Sequence, residues 1–397
     1  MLRSLFSGIS GLRSHQTMLD VTGNNIANVN TTGFKSSQTQ FQDTLSQVLN
    51  NAGAAQDGTG GTNPAQVGLG VRVAGITTSF TQGASQLTGR STDMMIQGDG
   101  FFVVRKGAET FYTRAGSFDF DSTGQMTLPG DGALVQGWMA VNGVVDTNAP
   151  LTDLTVPSGT VMGAIGSTKA SFLGNLDSDA ATGTTKTLDL EVYDATGNPR
   201  DVSLTLTKSA TGWTMSATDG TAVYPAAPAT DVPVTFDAAS AITSPTTFAL
   251  GGVTVDLSAI TGYAGVDTVK TGVQDGRAAG VLQSFELGAD GTITGSFSNG
   301  LKQSIGRIAL ANFTNPAGLQ KAGGSLFESS VNSGDAQVGV AGAGGRGSLA
   351  GGALEMSNVD LSSEFTSLII AQRGFQANSR VITTSDEVLQ ELVNLKR

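Results

Sequence analysis

The chain has a single histidine, His15, and no cysteine. A Ser–His–Asp site or a histidine metal cluster would have to be built around that one imidazole. No acid stands at helical spacing from it, so packing or exposure explains His15 better than catalysis does. Without cysteine there is no disulfide framework and no thiolate metal site. The run Asp119-Phe120-Asp121-Ser122-Thr123-Gly124 opens like a calcium loop. The twelfth position, which an EF-hand fills with glutamate, is Gly130, and a β-turn is expected instead. Gly98-Asp99-Gly100 is not a dinucleotide fingerprint, because no helix pattern follows it. Asp177 and Asp179 read as part of a solvated loop. The 33 acids leave a glycosidase-like carboxylate pair open, but no spacing singles out two of them. No catalytic, cofactor-binding or metal-ligating residue is assigned, and no cofactor is expected.

The periodic features lie at the ends. Leu5, Leu12, Leu19 and Ile26 fall seven apart, as do Leu361, Leu368, Phe375, Ile382 and Leu389. Such a repeat keeps one stripe of a helix against a partner helix. Leu2 and Ile9 join the first stripe, and Phe365 and Val393 lie beside the second. The spacing predicts helices over 2–28 and about 357–395, the latter capped by Asn358 with Asp360 in its first turn. Gly8, Gly11 and Gly23 each cost the first helix about 1 kcal/mol relative to Ala, while permitting close approach by a neighbour. Amphipathic helices usually pack on their own domain's core. Strict seven-residue spacing at both extremities favours packing between copies of the chain.

The middle has a different character. Glycine makes up 54 of 397 residues, roughly twice the usual share. Aromatic residues are 6% and charged residues 14%, a profile of turn-rich β structure. Of the net charge of −11, the first 50 residues contribute +1 and the stretch from Leu354 onward −2, leaving −10 for the middle. An acidic, lightly charged middle argues against nucleic acid as a partner. No stretch approaches the ~18 apolar residues of a membrane span, so no membrane insertion is expected. The start, with an apolar run of only two residues, is not read as a signal peptide.

Asn24 to Lys35 reads as a turn-rich exit from the first helix, with Gly33 supplying a turn and Phe34 a buried anchor. Residues 50–66 read as a long loop or extended arm. Met94–Ile96 and Phe101–Val104, flanking Gly98–Gly100, predict a hairpin. Trp138–Val141 and Val144–Val145 around Asn142-Gly143 predict another. Leu188, Leu190 and Val192, then Val202, Leu204 and Leu206, alternate with polar residues around a Gly197-Asn198-Pro199 turn, and Trp213 and Met215 continue a third strand. Residues 220–250 read as loops. Strands resume near 253–257 and 281–313.

Several of these stretches resemble the bacterial flagellar rod-and-hook family. LDVTGNNIANVNTTGFK, Leu19 to Lys35, looks like that family's N-terminal signature; Asn24, Asn25, Ala27, Asn28, Thr32, Gly33, Phe34 and Lys35 carry the match. Val359 to Leu395 is similar to its C-terminal end, and IQGDGFFVV (Ile96 to Val104) and Phe111 to Met126 to its first β-domain. Hook members fit best, because VYDATGNPRDVSLTL, Val192 to Leu206, resembles their second β-domain. Distal rod members are the runner-up, and a secreted adhesin or glycan-active enzyme stands further off.

The resemblance implies a multidomain α+β architecture. Residues 1–28 with 357–397 would form a coiled-coil-like inner domain and 29–70 a connecting segment. Residues 71–145 with 281–356 would form a first β-domain, and 146–280 a second β-domain inserted in it. It further implies a non-catalytic subunit of a curved, flexible tube, a universal joint carrying torque from rod to filament around an export channel. The ten stripe residues Leu5, Leu12, Leu19, Ile26, Leu361, Phe365, Leu368, Phe375, Ile382 and Leu389 would pack between subunits. The implied partners are further copies of the chain, the distal rod protein, the hook–filament junction protein, the hook cap protein and the flagellar type III export apparatus. The implied location is the extracellular flagellum, reached without a cleaved signal.

Overall fold

The computed structural model describes residues 2–54, 60–157, 159–220, 222–226 and 231–394. Parts of the expected loop at 50–66 and of the expected loops at 220–250, and the last residue of the expected C-terminal helix, 395, lie outside them. The chain divides into two compact units. Unit 1 comprises Met1–Pro157, Phe285–Thr294 and Ser304–Arg397; unit 2 comprises Ser158–Ser284 and Gly295–Gln303. The fold is mostly β with a helix at each terminus.

In unit 1, helix α1 (Leu2–Ala27) runs antiparallel to helix α2 (Leu361–Asn394). The first turn of α2 is capped by Asp360, whose Oδ1 accepts the Ser362 and Ser363 amides at 2.8 and 3.3 Å. The expected cap, Asn358, does other work: its Oδ1 accepts the Ser36 amide at 2.8 Å and its Nδ2 donates to the Ser79 carbonyl at 2.9 Å. Beyond α1, Ser37–Asp43 pairs antiparallel with Val71–Thr78. Between these two strands the expected loop is flanked by a short two-stranded ribbon, Ser46–Asn50 with Ala65–Gly68, whose residues are all exposed.

The β-domain of unit 1 is built around Phe101–Lys106, which pairs with Glu109–Thr113, Ala133–Val141 and Leu310–Asn312. Its core gathers Phe101, Tyr112, Trp138, Phe313 and Phe327, with edge-to-face ring contacts such as Tyr112–Phe313 at 4.7 Å. The Asn142-Gly143 hairpin forms with both residues at positive φ, 54° and 82°, the conformation a two-residue turn between twisted strands requires. The expected hairpin across Gly98–Gly100 does not form. Met94–Gln97 pairs instead with Ser348–Gly351, and Phe101–Lys106 lies in the main sheet, so the glycines carry the chain from one sheet to another. Ser85–Leu87 likewise pairs with Ala353–Glu355, which returns the chain to α2.

Unit 2 has one core between two sheets. Thr185–Tyr193, Pro199–Ser209 and Gly212–Asp219 form the antiparallel series that the alternation predicts, with Val202, Leu204, Leu206, Trp213 and Met215 buried. Lys169–Asn175 pairs in parallel with Val253–Thr261 in the second sheet, which supplies Phe172, Val255 and Leu257 to the same core. The region expected as loops, 220–250, carries short strands at Ala222–Tyr224, Val232–Phe236, Ile242–Ser244 and Thr247–Leu250. Pairing with longer neighbours outweighs its Ala/Pro/Thr-rich composition.

Candidate assembly interface

The contact between α1 and α2 is lined by small and polar residues together with Ile382 and Val381. Among the residues whose burial is described, the buried positions of α1 are Gly8, Gly11, Ser14, Thr22 and Asn25, and that of α2 is Ala371. The backbones approach closely. A methyl added at Gly11 would lie 2.6 Å from the Asn378 side chain, and one added at Gly374 would lie 2.5 Å from the His15 ring. Gly8 faces Ile382 and Val381 in ordinary contact, whereas Gly23 faces open space. Polar groups in this seam are largely satisfied locally. Ser14 Oγ donates to the Ser10 carbonyl at 2.9 Å. Asn25 uses both amide hydrogens, to the Ser37 carbonyl at 2.8 Å and Glu364 Oε1 at 3.0 Å, and accepts the Ser37 amide at 3.0 Å. Burial, with the nearby Asp360 charge, raises the Glu364 carboxyl above its ordinary range, against the Asn25 hydrogen bond that lowers it. His15 packs edge-to-face on Phe41 with ring centroids 5.6 Å apart.

The apolar stripes lie beside this seam. Leu5, Leu12, Leu19 and Ile26 are half-buried, as are Leu368, Phe375, Ile382 and Leu389. Leu361 is 39% exposed and Phe365 52%. Further apolar side chains stand out on the same helices, including Phe6, Ile9, Ile369, Ile370 and Val388. Gly8, His15 and Thr22, and Gly11, Met18 and Asn25, share the seven-residue spacing of the leucines. The spacing thus marks two neighbouring stripes, and the smaller one holds buried positions of α1. The recurrence of small residues at 8, 11 and 14 is the sequence signal for that seam.

The turn-rich segment after α1 ties the helix ends to the β-domain of unit 1. Asn28 donates to the Asn24 carbonyl at 2.9 Å and its Oδ1 accepts the Thr31 hydroxyl at 3.0 Å. Asn24, Ala27 and Thr32 lie on the same exit. Gly33 has φ +67° and donates its amide to the Glu355 carbonyl at 2.8 Å. Phe34, expected as a buried anchor, is half-buried, with the Lys321 ammonium 4.9 Å from its ring centroid. The buried residue is its neighbour. Lys35 Nζ donates to Glu355 Oε1 at 2.6 Å and to the Thr81 carbonyl at 2.8 Å, with both charged side chains at 0% exposure. Arg114, itself buried, approaches Glu355 Oε2 at 3.5 Å and donates to the Gly98 carbonyl at 2.9 Å. Burial pulls Lys35 and Arg114 below their usual values, and Glu355 opposes this in both. Nothing in the residue types around Lys35 announced this cluster, because its hydrogen-bond partners stand 46 and 320 positions away.

Among the described residues no group of three or more His, Asp or Glu side chains is placed to hold a metal ion. No helix there is long and apolar enough to cross a membrane.

Three family models match the chain: a flagella basal body rod protein model over residues 5–35, the D1 domain of flagellar hook protein FlgE/F/G over 95–168, and the C-terminal model of flagellar basal body rod FlgEFG proteins over 350–395. The chain is 40% identical to the flagellar hook protein FlgE of Borreliella burgdorferi and 39% identical to that of Treponema pallidum, in each case over the whole of both chains. It is 35% identical to the flagellar basal-body rod protein FlgG of Bacillus subtilis, again over the whole of both.

Proposed function

The chain belongs to the flagellar hook and basal-body rod protein family and is a structural subunit of the hook rather than an enzyme; from that premise we propose that its copies polymerise through their terminal helices into a tube that carries torque. The observation that supports this most is the exposure left on the helices. Within one chain the two helices approach closely at Gly8, Gly11 and Gly374, against Ile382, Asn378 and His15, while the stripe residues stay only half-buried and Leu361 and Phe365 are exposed. An apolar face on this scale is a mark of an interaction surface. A helix face repeating every seven residues suits another helix of the same kind. The ribbon Ser46–Asn50 with Ala65–Gly68 supports the same reading. It exposes Val48, Leu49 and Val67, and an isolated two-stranded hairpin is marginal in water until something covers it.

In this reading Leu5, Leu12, Leu19 and Ile26 pack against Leu361, Phe365, Leu368, Phe375, Ile382 and Leu389 of neighbouring copies, as the coiled-coil-like inner wall around an export channel. The tube is curved and flexible and joins the rod to the filament. The chain reaches the extracellular flagellum through the type III export apparatus without a cleaved signal. Its ends meet the distal rod protein and the hook–filament junction protein, and a hook cap protein covers the growing end.

Substituting Leu12→Asp or Leu368→Asp tests the reading. A charge forced into a helix interface without a partner is strongly unfavourable. Electron microscopy is expected to show no tubes, while circular dichroism retains the β signal. Tubes of normal length from either variant would sink the proposal.

A further inference from the structure

Each of the three family-matched stretches contributes one charge to a single buried cluster: Lys35 from the first, Arg114 from the second and Glu355 from the third. The cluster stands where both helices meet the β-domain of unit 1. Lys35 follows the end of α1, and Glu355 lies in the last strand before α2. Glu355 is its centre. One oxygen accepts from Lys35 at 2.6 Å and from the Gly83 amide at 2.9 Å, the other faces Arg114, and its backbone carbonyl accepts the Gly33 amide at 2.8 Å. The Thr81 and Gly98 carbonyls take further hydrogens from the two cations, so five separate segments converge on it.

A buried ion cluster is a poor source of net stability, since desolvation of the charges offsets much of their attraction. What it supplies is direction. Hydrogen bonds of fixed length and angle admit one arrangement of the segments, where an apolar contact of the same volume admits several. From this geometry we infer that Glu355 is a positioning residue for assembly: with Lys35 and Arg114 it fixes the angle at which the helix pair leaves the β-domain, and so the curvature of the polymer. This rests on the polymer reading above, but its first test does not.

The absence of native cysteine allows clean spin labelling. Glu109→Cys, at an exposed hairpin of the β-domain, and Arg380→Cys, on the exposed side of α2, are labelled and their separation is measured by pulsed dipolar spectroscopy on the monomer. The parent is expected to give one narrow distance. Glu355→Gln, and the combined Lys35→Met, Arg114→Met, Glu355→Met chain, are expected to give a broadened or shifted one. The combined variant leaves no unpaired charge, so its melting point is expected to stay near the parent's or exceed it, and its tubes to differ from the parent's in curvature. If the combined variant does not fold, Glu355→Gln decides the distance result alone. An unchanged distance distribution in the folded variants, or tubes of parental curvature from the combined one, would overturn the inference. A parent chain that forms no tubes would instead refute the polymer reading.

Discussion

Gly33→Ala puts the helix exit under direct test. Three costs can be read from the structure. The residue sits at φ +67°, where a side chain costs about 1–2 kcal/mol. The added methyl would also lie 2.5 Å from the Ala115 amide nitrogen and 2.6 Å from the Arg114 carbonyl carbon. Both are backbone atoms, so no side-chain rotation relieves the clash. Overpacking of this kind costs about 1–3 kcal/mol. Any retreat of the segment stretches the 2.8 Å bond from the Gly33 amide to the Glu355 carbonyl, and an acceptor left unpaired out of water adds about 1–3 kcal/mol. The expected loss is about 3–8 kcal/mol, a large fraction of a typical domain's stability.

The two tryptophans make this measurable. Trp138 is buried in unit 1 and Trp213 in unit 2, so a Trp213→Phe background leaves Trp138 as the reporter for unit 1. Separate reporters matter because a chain of two units need not unfold in one step. Gly33→Ala is expected to lower the Trp138 denaturation midpoint strongly. Gly23→Ala, where nothing lies within 4 Å of the added methyl, is expected to raise helix stability by about 0.5–1 kcal/mol. A loss below about 1 kcal/mol for Gly33→Ala would refute the reasoning, because it would mean that the backbone contact at Ala115 yields freely.

Gly374→Ala sets a helix-propensity gain of about 1 kcal/mol against a methyl inside the His15 ring contact, and the clash is expected to win by roughly 1 kcal/mol; adding His15→Ala should reverse the sign in a helix-exchange measurement. Glu364 holds its proton more tightly folded than unfolded, so its contribution to stability falls as pH rises through the range above its ordinary value. Glu364→Gln, which keeps an oxygen for Asn25, should therefore protect the α1 amides better than the parent does at pH 7, with the advantage closing as pH drops below the ordinary glutamate range; a parent better protected at pH 7 would contradict this. Asp194 sits far below the ordinary carboxylate range because the Thr196 hydroxyl and the Asn198 amide donate to it, at 2.7 and 2.9 Å. Its contribution is present above the ordinary aspartate range and is lost as pH falls below it. Asp194→Ala should lower the Trp213-reported midpoint near neutral pH, leave Trp138 unmoved, and lose its effect in acid.

What was legible in the sequence was local. The alternation of Val202, Leu204 and Leu206 gave a strand because a strand's two faces differ at successive residues. Asn142-Gly143 gave a hairpin because few residue pairs tolerate that turn. The failures share a cause. Met94–Ile96 reads as the partner of Phe101–Val104 across Gly98–Gly100, but the strand's partner lies some 250 residues on, and a strand carries no mark of which distant edge it will join. Lys35 was legible as part of a family signature and invisible as a buried cation, since its carboxylate partner arrives from the other end of the chain. The helix stripes are legible from their apolarity, whereas Gly8 and Gly11, which let the helices approach closely, carry no apolar signal.

The small residues have a consequence for the proposed polymer. Glycine at 8, 11 and 374 lets the two helices approach closely, and Asn25 adds a directed bond to Glu364. The stripe residues stay half-buried, with Leu361, Phe365, Ile369 and Ile370 exposed. On the proposed reading, apolar surface still open on the helices contributes about 25 cal/mol per Å² when another copy covers it. Close approach within the pair and open apolar surface outside it would then act together: the first holds the helices in the pose from which the second is offered.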